Sequence, residues 1–187
     1  GPVKNKPLHT RSGLLLAPAS IEQGPWRAFI DLSRDGQSWE KRPIPGDVGM
    51  IQPSLWESPA GHIHALMRTD AGKIYRSDSS DGGETWCAAY STQMPNNNSG
   101  LGAALTDCGV LGLICNPIGE NWGDRTPLNL FLSEDNGATY PVSIELENTP
   151  GVEFSYPSIV AEGNLLHMVY TVGRKKICYA LVKVEKD

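Results

Sequence analysis

No stretch of this 187-residue sequence approaches the ~18 consecutive apolar residues that a membrane-crossing helix requires. The four cysteines, Cys87, Cys108, Cys115 and Cys178, include no Cys-x-x-Cys pair, which argues against a zinc or dithiol redox site and leaves free, mostly buried thiols as the plain reading. Positive charge is sparse: net charge is −5 and the longest basic cluster is Arg174-Lys175-Lys176, so nucleic acid is not an expected partner. The opening residues, Gly1 to Pro7, contain neither the n-region nor the h-region of a signal peptide and do not begin with Met, so a soluble chain is expected with no compartment indicated. Helical periodicity is missing over any useful length. What the chain does have is 20 Gly and 14 Pro within an ordinary globular composition, 40% hydrophobic and 20% charged, and enough length for one domain with a sizeable core.

The most informative stretch is Ser79-Ser80-Asp81-Gly82-Gly83-Glu84-Thr85-Trp86. It recurs as Ser133-Glu134-Asp135-Asn136-Gly137-Ala138-Thr139-Tyr140, and one residue shorter as Ser33-Arg34-Asp35-Gly36-Gln37-Ser38-Trp39. The aromatics stand 47 and 54 residues apart, a period that signals repeats. Chemically the octet is a hairpin turn. Asp accepts from backbone N–H groups just downstream, Gly supplies a positive φ, and Thr with the aromatic starts the next strand, where the ring can pack between sheets.

Alternating strands surround each copy. In the first unit they are 3–8, 13–20 and 26–32; in the second, 51–56, 62–68, 73–77 and 87–91. The third unit reads 101–105, 110–116, 128–132 and 142–146. The fourth reads 156–160, 165–172 and 177–184, with no octet and no outer strand. Four units of about 50 residues (1–48, 49–95, 96–150, 151–187) fit propeller blades, each a four-stranded antiparallel sheet. If the first strand of each sheet runs away from one rim, the second returns to it and the octet sits at the opposite end. Gln52, Arg68, the loop holding Asp124-Arg125, and Tyr156 then share that rim, whereas the octets are structural.

The octet resembles the Asp-box of the sialidase superfamily, and the likeness is closest to the bacterial "predicted neuraminidase" branch through residues 1–7, Gln52-Pro53-Ser54-Leu55-Trp56 and Phe154-Ser155-Tyr156-Pro157. The resemblance implies an all-β, six-bladed propeller of which this chain holds about four blades, the C-terminal part. It implies three arginines on a sugar carboxylate, a Tyr nucleophile paired with a Glu, and an Asp acid/base. Arg68 and Arg125 fall on two of the arginines and Tyr156 on the nucleophile. The Glu position holds Gln52, which can orient a phenol but cannot act as its base. The first arginine and the acid belong to blades this chain lacks.

Lys4 and Asn5, with Lys6 beside them, open the first inner strand and can reach the same rim; Glu22 ends its second strand as Arg68 does. His62 and His64 share a strand face, but no third ligand is in view, so no metal or other cofactor is implied. Asn97-Asn98-Ser99 is the single glycosylation sequon and is read as shaping its loop. The expected function is a sialidase-like exo-glycosidase that hydrolyses a terminal acidic sugar with retention, Tyr156 attacking, Gln52 positioning it, and Arg68 and Arg125 holding the carboxylate. The alternatives are a non-catalytic carbohydrate-binding or scaffold propeller, and an enzyme on uronate-containing polysaccharide. The expected partner is a carbohydrate with an acidic sugar, not nucleic acid or membrane. Completion of the ring by an N-terminal segment or by self-association is also expected.

Overall fold

The computed structural model describes residues 4–185. Among them there is no helix, and so none long and apolar enough to cross a membrane. The chain divides into two compact units, Gly1–Gln93 and Met94–Asp187.

In the first unit, β1 (Leu8–His9), β2 (Leu15–Ile21), β3 (Arg27–Ser33) and β4 (Glu40–Pro43) pair in chain order. A second four-stranded sheet follows: β5 (Met50–Glu57), β6 (Ile63–Thr69), β7 (Lys73–Ser79) and β8 (Tyr90–Pro95). Leu16, Ile30, Leu32, Ile63 and Met67, all fully enclosed, form one core with Met50 and Trp86. Each such side chain contributes about 1.5–3 kcal/mol by leaving water.

In the second unit, β9 (Gly102–Leu105), β10 (Leu111–Cys115), β11 (Leu128–Ser133) and β12 (Val142–Glu147) form a four-stranded antiparallel meander. Beside it, β13 (Phe154–Glu162), β14 (Leu165–Val172) and β15 (Lys176–Lys183) form a three-stranded sheet. Ile114, Leu130, Phe154, Ile159, Leu166 and Met168 make its core. Gly112 lets the two sheets approach, since a Cβ there would stand 2.8 Å from Leu166 Cδ1. On β15, alternation sends Cys178, Ala180 and Val182 toward the core and leaves Ile177, Tyr179 and Leu181 exposed.

The repeated turns close as their chemistry requires. Asp81 Oδ1 accepts from Ser79 Oγ (2.7 Å) and Thr85 N (2.9 Å), and Ser79 Oγ accepts from Gly83 N (2.8 Å). The second octet repeats this with Ser133, Asp135, Gly137 and Thr139 at 2.7–2.8 Å. Gly83 is required twice over: its φ is +98°, and a Cβ would meet Leu16 at 3.0 Å.

Three expectations are corrected. Trp86 is buried to 7% exposure, its indole N–H donating to Gly83 O (3.1 Å), but Trp39 is 45% exposed and does not pack between sheets. Ladder pairing in the first strand begins only at Leu8 rather than near residue 3, itself outside the described residues. Lys4 (φ 66°) leaves the extended region and Pro7 has no N–H to donate. The outer strand of the second sheet starts at Tyr90, not Cys87. Cys87 is held instead by Asp78 O (3.0 Å), and Ala89 N donates to Pro45 O (2.7 Å).

Candidate functional site

Each unit gathers its own set of candidate side chains. In the first, Gln52 sits where the β5–β6 ladder skips from Ile51 to Ser54, with φ 55°. A left-handed conformation is unfavourable for a residue with a Cβ, and the following Pro53 biases its neighbour toward extended backbone. Asn5 fixes it: its Nδ2 donates to Gln52 O (2.8 Å) and Pro53 O (3.0 Å). The Gln52 amide donates to Glu22 Oε1 (3.2 Å) and weakly accepts from Arg68 Nη1 (3.4 Å). Arg68 is buried and lies opposite Ile51 in the ladder. Lys4 Nζ donates to Asn5 Oδ1 (3.1 Å); desolvation, then the charges of Arg68 and Lys6, pull its ammonium down to about 7. Lys4, Asn5, Glu22, Gln52 and Arg68 are thus one cluster.

In the second unit, Tyr156 sits where the β13–β14 ladder skips from Ser155 to Ser158, with φ 52°, and is 44% exposed. A bulky aromatic held in this region is an outlier of about 1–3 kcal/mol that surrounding contacts must impose. The Arg125 guanidinium lies 5.1 Å from the Tyr156 ring centre, and Arg125 O accepts from Phe154 N (2.8 Å). Arg125 Nη1 also donates to Glu153 Oε1 (3.0 Å), which accepts from Ser155 Oγ (2.6 Å), and Arg174 Nε reaches Glu153 Oε2 (3.0 Å). The hydrogen bond and charge of Arg125, with the charge of Arg174, outweigh desolvation and the Glu153 charge and hold the Tyr156 phenol below its ordinary value.

A cavity of about 280 Å3 opens beside this cluster, lined by Trp122, Asp124, Arg125, Glu153 and Arg174 among others. Its loop is pinned from below. Asn97 Nδ2 donates to Gly123 O (2.9 Å) and Asp124 O (2.6 Å), and buried Asn116 donates to Pro127 O (2.9 Å) and Phe154 O (3.1 Å). The sequon asparagine therefore shapes the loop, and attaching a glycan would leave its Nδ2 a single N–H for the two carbonyls it now serves. His64 is engaged by Asp78 Oδ1 (2.5 Å) and stacks on Trp56, while the four cysteines are free thiols as expected but not mostly buried: Cys115 is enclosed, Cys108 and Cys178 are half-buried and Cys87 is exposed.

Sequence reasoning missed Glu153, Arg174, Trp122 and Asn116. The signal for Arg174 was present, since it lies in a second-to-third-strand loop, the kind of place that identified Arg125. Glu153, three residues before the candidate nucleophile, was equally visible. Left-handed residues at Lys4, Gln52, Asn98 and Tyr156, one ahead of or within the first strand of each sheet, carry no sequence signature beyond the proline after two of them.

The model of the BNR repeat-like domain family matches residues 1–168. No curated protein matches the chain in sequence. Among solved structures, a protein of unknown function from Dyadobacter fermentans superposes with a TM-score of 0.74 at 19% identity, covering 96% of this chain and 52% of its own. A Hadza microbial sialidase, Hz136, gives 0.79 at 18% identity over 95% of this chain and 36% of its own. The intramolecular trans-sialidase from Ruminococcus gnavus gives 0.69 at 15% identity, with 95% and 43% covered. The fold is that of the sialidase-like six-bladed propellers, and the chain spans about half or less of the length of these structures.

Proposed function

We propose that this chain, which belongs to the BNR repeat-like domain family, is the part of a sialidase-like exo-glycosidase that holds a terminal acidic sugar and presents the nucleophile. The observation that carries the reading is Tyr156: an exposed phenol in a left-handed bulge against a guanidinium, the kind of strain that clusters at functional sites. In this reading Tyr156 attacks the anomeric carbon, Gln52 orients it, and Arg68 with Arg125 holds the sugar carboxylate, a retaining scheme with a phenol in place of a carboxylate. Lys4, Asn5 and Glu22, clustered with Gln52 and Arg68, are assigned to substrate binding in this reading. In this reading the acid and the remaining arginine belong to an N-terminal segment, whereas a second copy of this chain could supply only the strand that closes the last sheet. The end position of β15 in its sheet and its exposed Ile177, Tyr179 and Leu181 support such completion.

One observation favours a binding module instead. The Gln52 amide is engaged by Glu22 and Arg68 and offers the phenol no base. Calorimetry with N-acetylneuraminic acid and its methyl ester tests what both readings share. The acid is expected to bind without turnover by the isolated chain, and Arg68→Ala to cost about 1.5–3 kcal/mol as a charged hydrogen-bond partner is lost. Equal affinity for the neutral ester rejects the carboxylate clamp.

A further inference from the structure

A phenol with its ordinary value near ~10 is a weak nucleophile at neutral pH and needs either a base or a neighbour that stabilises its anion. Gln52 cannot be that base. The second unit, however, contains a guanidinium placed for the other route. Arg125 lies 5.1 Å from the Tyr156 ring centre, and its backbone is tied to β13 through Phe154 N (2.8 Å). Its planar fork of donors can serve two acceptors at once. One N–H is given to Glu153 Oε1 at 3.0 Å. Glu153 is itself held by Ser155 Oγ (2.6 Å) and by Arg174 Nε (3.0 and 3.1 Å). Two guanidinium charges thus meet a single carboxylate, which leaves one positive charge in surplus beside the phenol.

We infer that Tyr156 is activated through Arg125, which stabilises its phenolate, and that Glu153 and Arg174 are positioning residues that hold this guanidinium against the ring. The bulge between Ser155 and Ser158 completes the arrangement, because it releases Tyr156 from ladder pairing. The groups acting on the phenol are Arg125, Arg174 and Glu153; the first two favour its anion and the last opposes it, the balance favouring the anion. The inference rests on the proposed nucleophilic role of Tyr156 and assigns Arg125 a task beyond the sugar carboxylate. It also gives the phenol a route to ionisation that needs no neighbouring base.

The test is a pH titration of the full chain labelled at tyrosine Cζ, followed by carbon NMR, which separates the six tyrosines; Tyr156→Phe assigns the resonance. Tyr156 is expected to titrate below the ordinary phenol range. Arg125→Gln should move its midpoint up. Glu153→Gln discriminates sharply. Loss of the carboxylate charge alone would lower the midpoint further, whereas loss of Arg125 placement raises it, and the rise is the expected result. The Tyr90 and Tyr170 phenols, both pushed upward by burial and by their carboxylate partners Asp78 and Glu147, report whether each variant is folded. A Tyr156 midpoint in the ordinary range, or one unmoved by Arg125→Gln, overturns the inference; a drop in Glu153→Gln overturns the positioning role of Glu153. No substrate is involved. A chain that binds no acidic sugar therefore refutes the functional reading alone, and an ordinary Tyr156 midpoint leaves sugar binding standing.

Discussion

In the first unit Gln52, and in the second Tyr156, each adopts a left-handed conformation, precedes a Pro-Ser pair, and sits where the ladder skips two residues. In each unit an asparagine amide fixes carbonyls around the bulge: Asn5 on Gln52 and Pro53, Asn116 on Phe154 and Pro127. The side chains differ in kind. Gln52 is neutral and lies between Glu22 and Arg68, whereas Tyr156 is an ionisable phenol under the influence of Arg125. The same backbone arrangement therefore carries a neutral amide in one unit and an ionisable phenol in the other. The bulge is a presentation device, and the side chain mounted on it sets the chemistry.

The largest expected effect is at the two asparagines. Asn116 is fully enclosed, and Asn116→Ala leaves two carbonyls and the Ser99 hydroxyl without a partner, at about 1–3 kcal/mol for each buried group left unsatisfied. Asn5 is only half-buried, so water can replace it, and Asn5→Ala should cost about 1 kcal/mol or less. Chemical denaturation of both variants checks the ranking; equal losses would break the parallel between the units.

A smaller effect lies in the turns at the opposite end of the sheets. Asp35, Asp81 and Asp135 are each held at about 2, chiefly by the Ser38 N–H for Asp35, by Thr85 against partial desolvation for Asp81, and by the Thr139 hydroxyl for Asp135. A carboxyl lower in the folded than in the unfolded chain contributes stability that is complete above the unfolded value and is lost as pH falls through the folded one. Melting temperature should therefore decline between about pH 4 and about pH 2, and Asp81→Asn or Asp135→Asn should flatten that decline. An unchanged acid limb in both variants would show that the two octets carry no such linkage.

The smallest effect is at the bulges themselves. Glycine relieves the left-handed strain of about 1–3 kcal/mol, but it adds up to about 1 kcal/mol of freedom to the unfolded chain and removes the side chain's own contacts, so the terms largely offset one another. Gln52→Gly and Tyr156→Gly should therefore leave the melting temperature almost unchanged. A large fall in either would mean that its side chain supports the fold rather than being presented by it.

Much of this molecule was legible in the residues. Strand alternation placed β14 to the residue, the octets located the hairpins between third and fourth strands, and the three alternating segments of the last unit matched its three strands among the described residues. Even the placing of Gln52, Arg68, Arg125 and Tyr156 near strand ends followed from chain direction alone. These features depend on neighbours close in sequence and on a strict period of two, so a linear pattern records them. The left-handed bulges, the sharing of Glu153 between two arginines, the capture of Asn97 and the exposure of Trp39 were decided only in three dimensions. Each depends on partners brought from another strand, and hydrogen-bond direction and burial depth at such meetings leave no periodic trace in the chain.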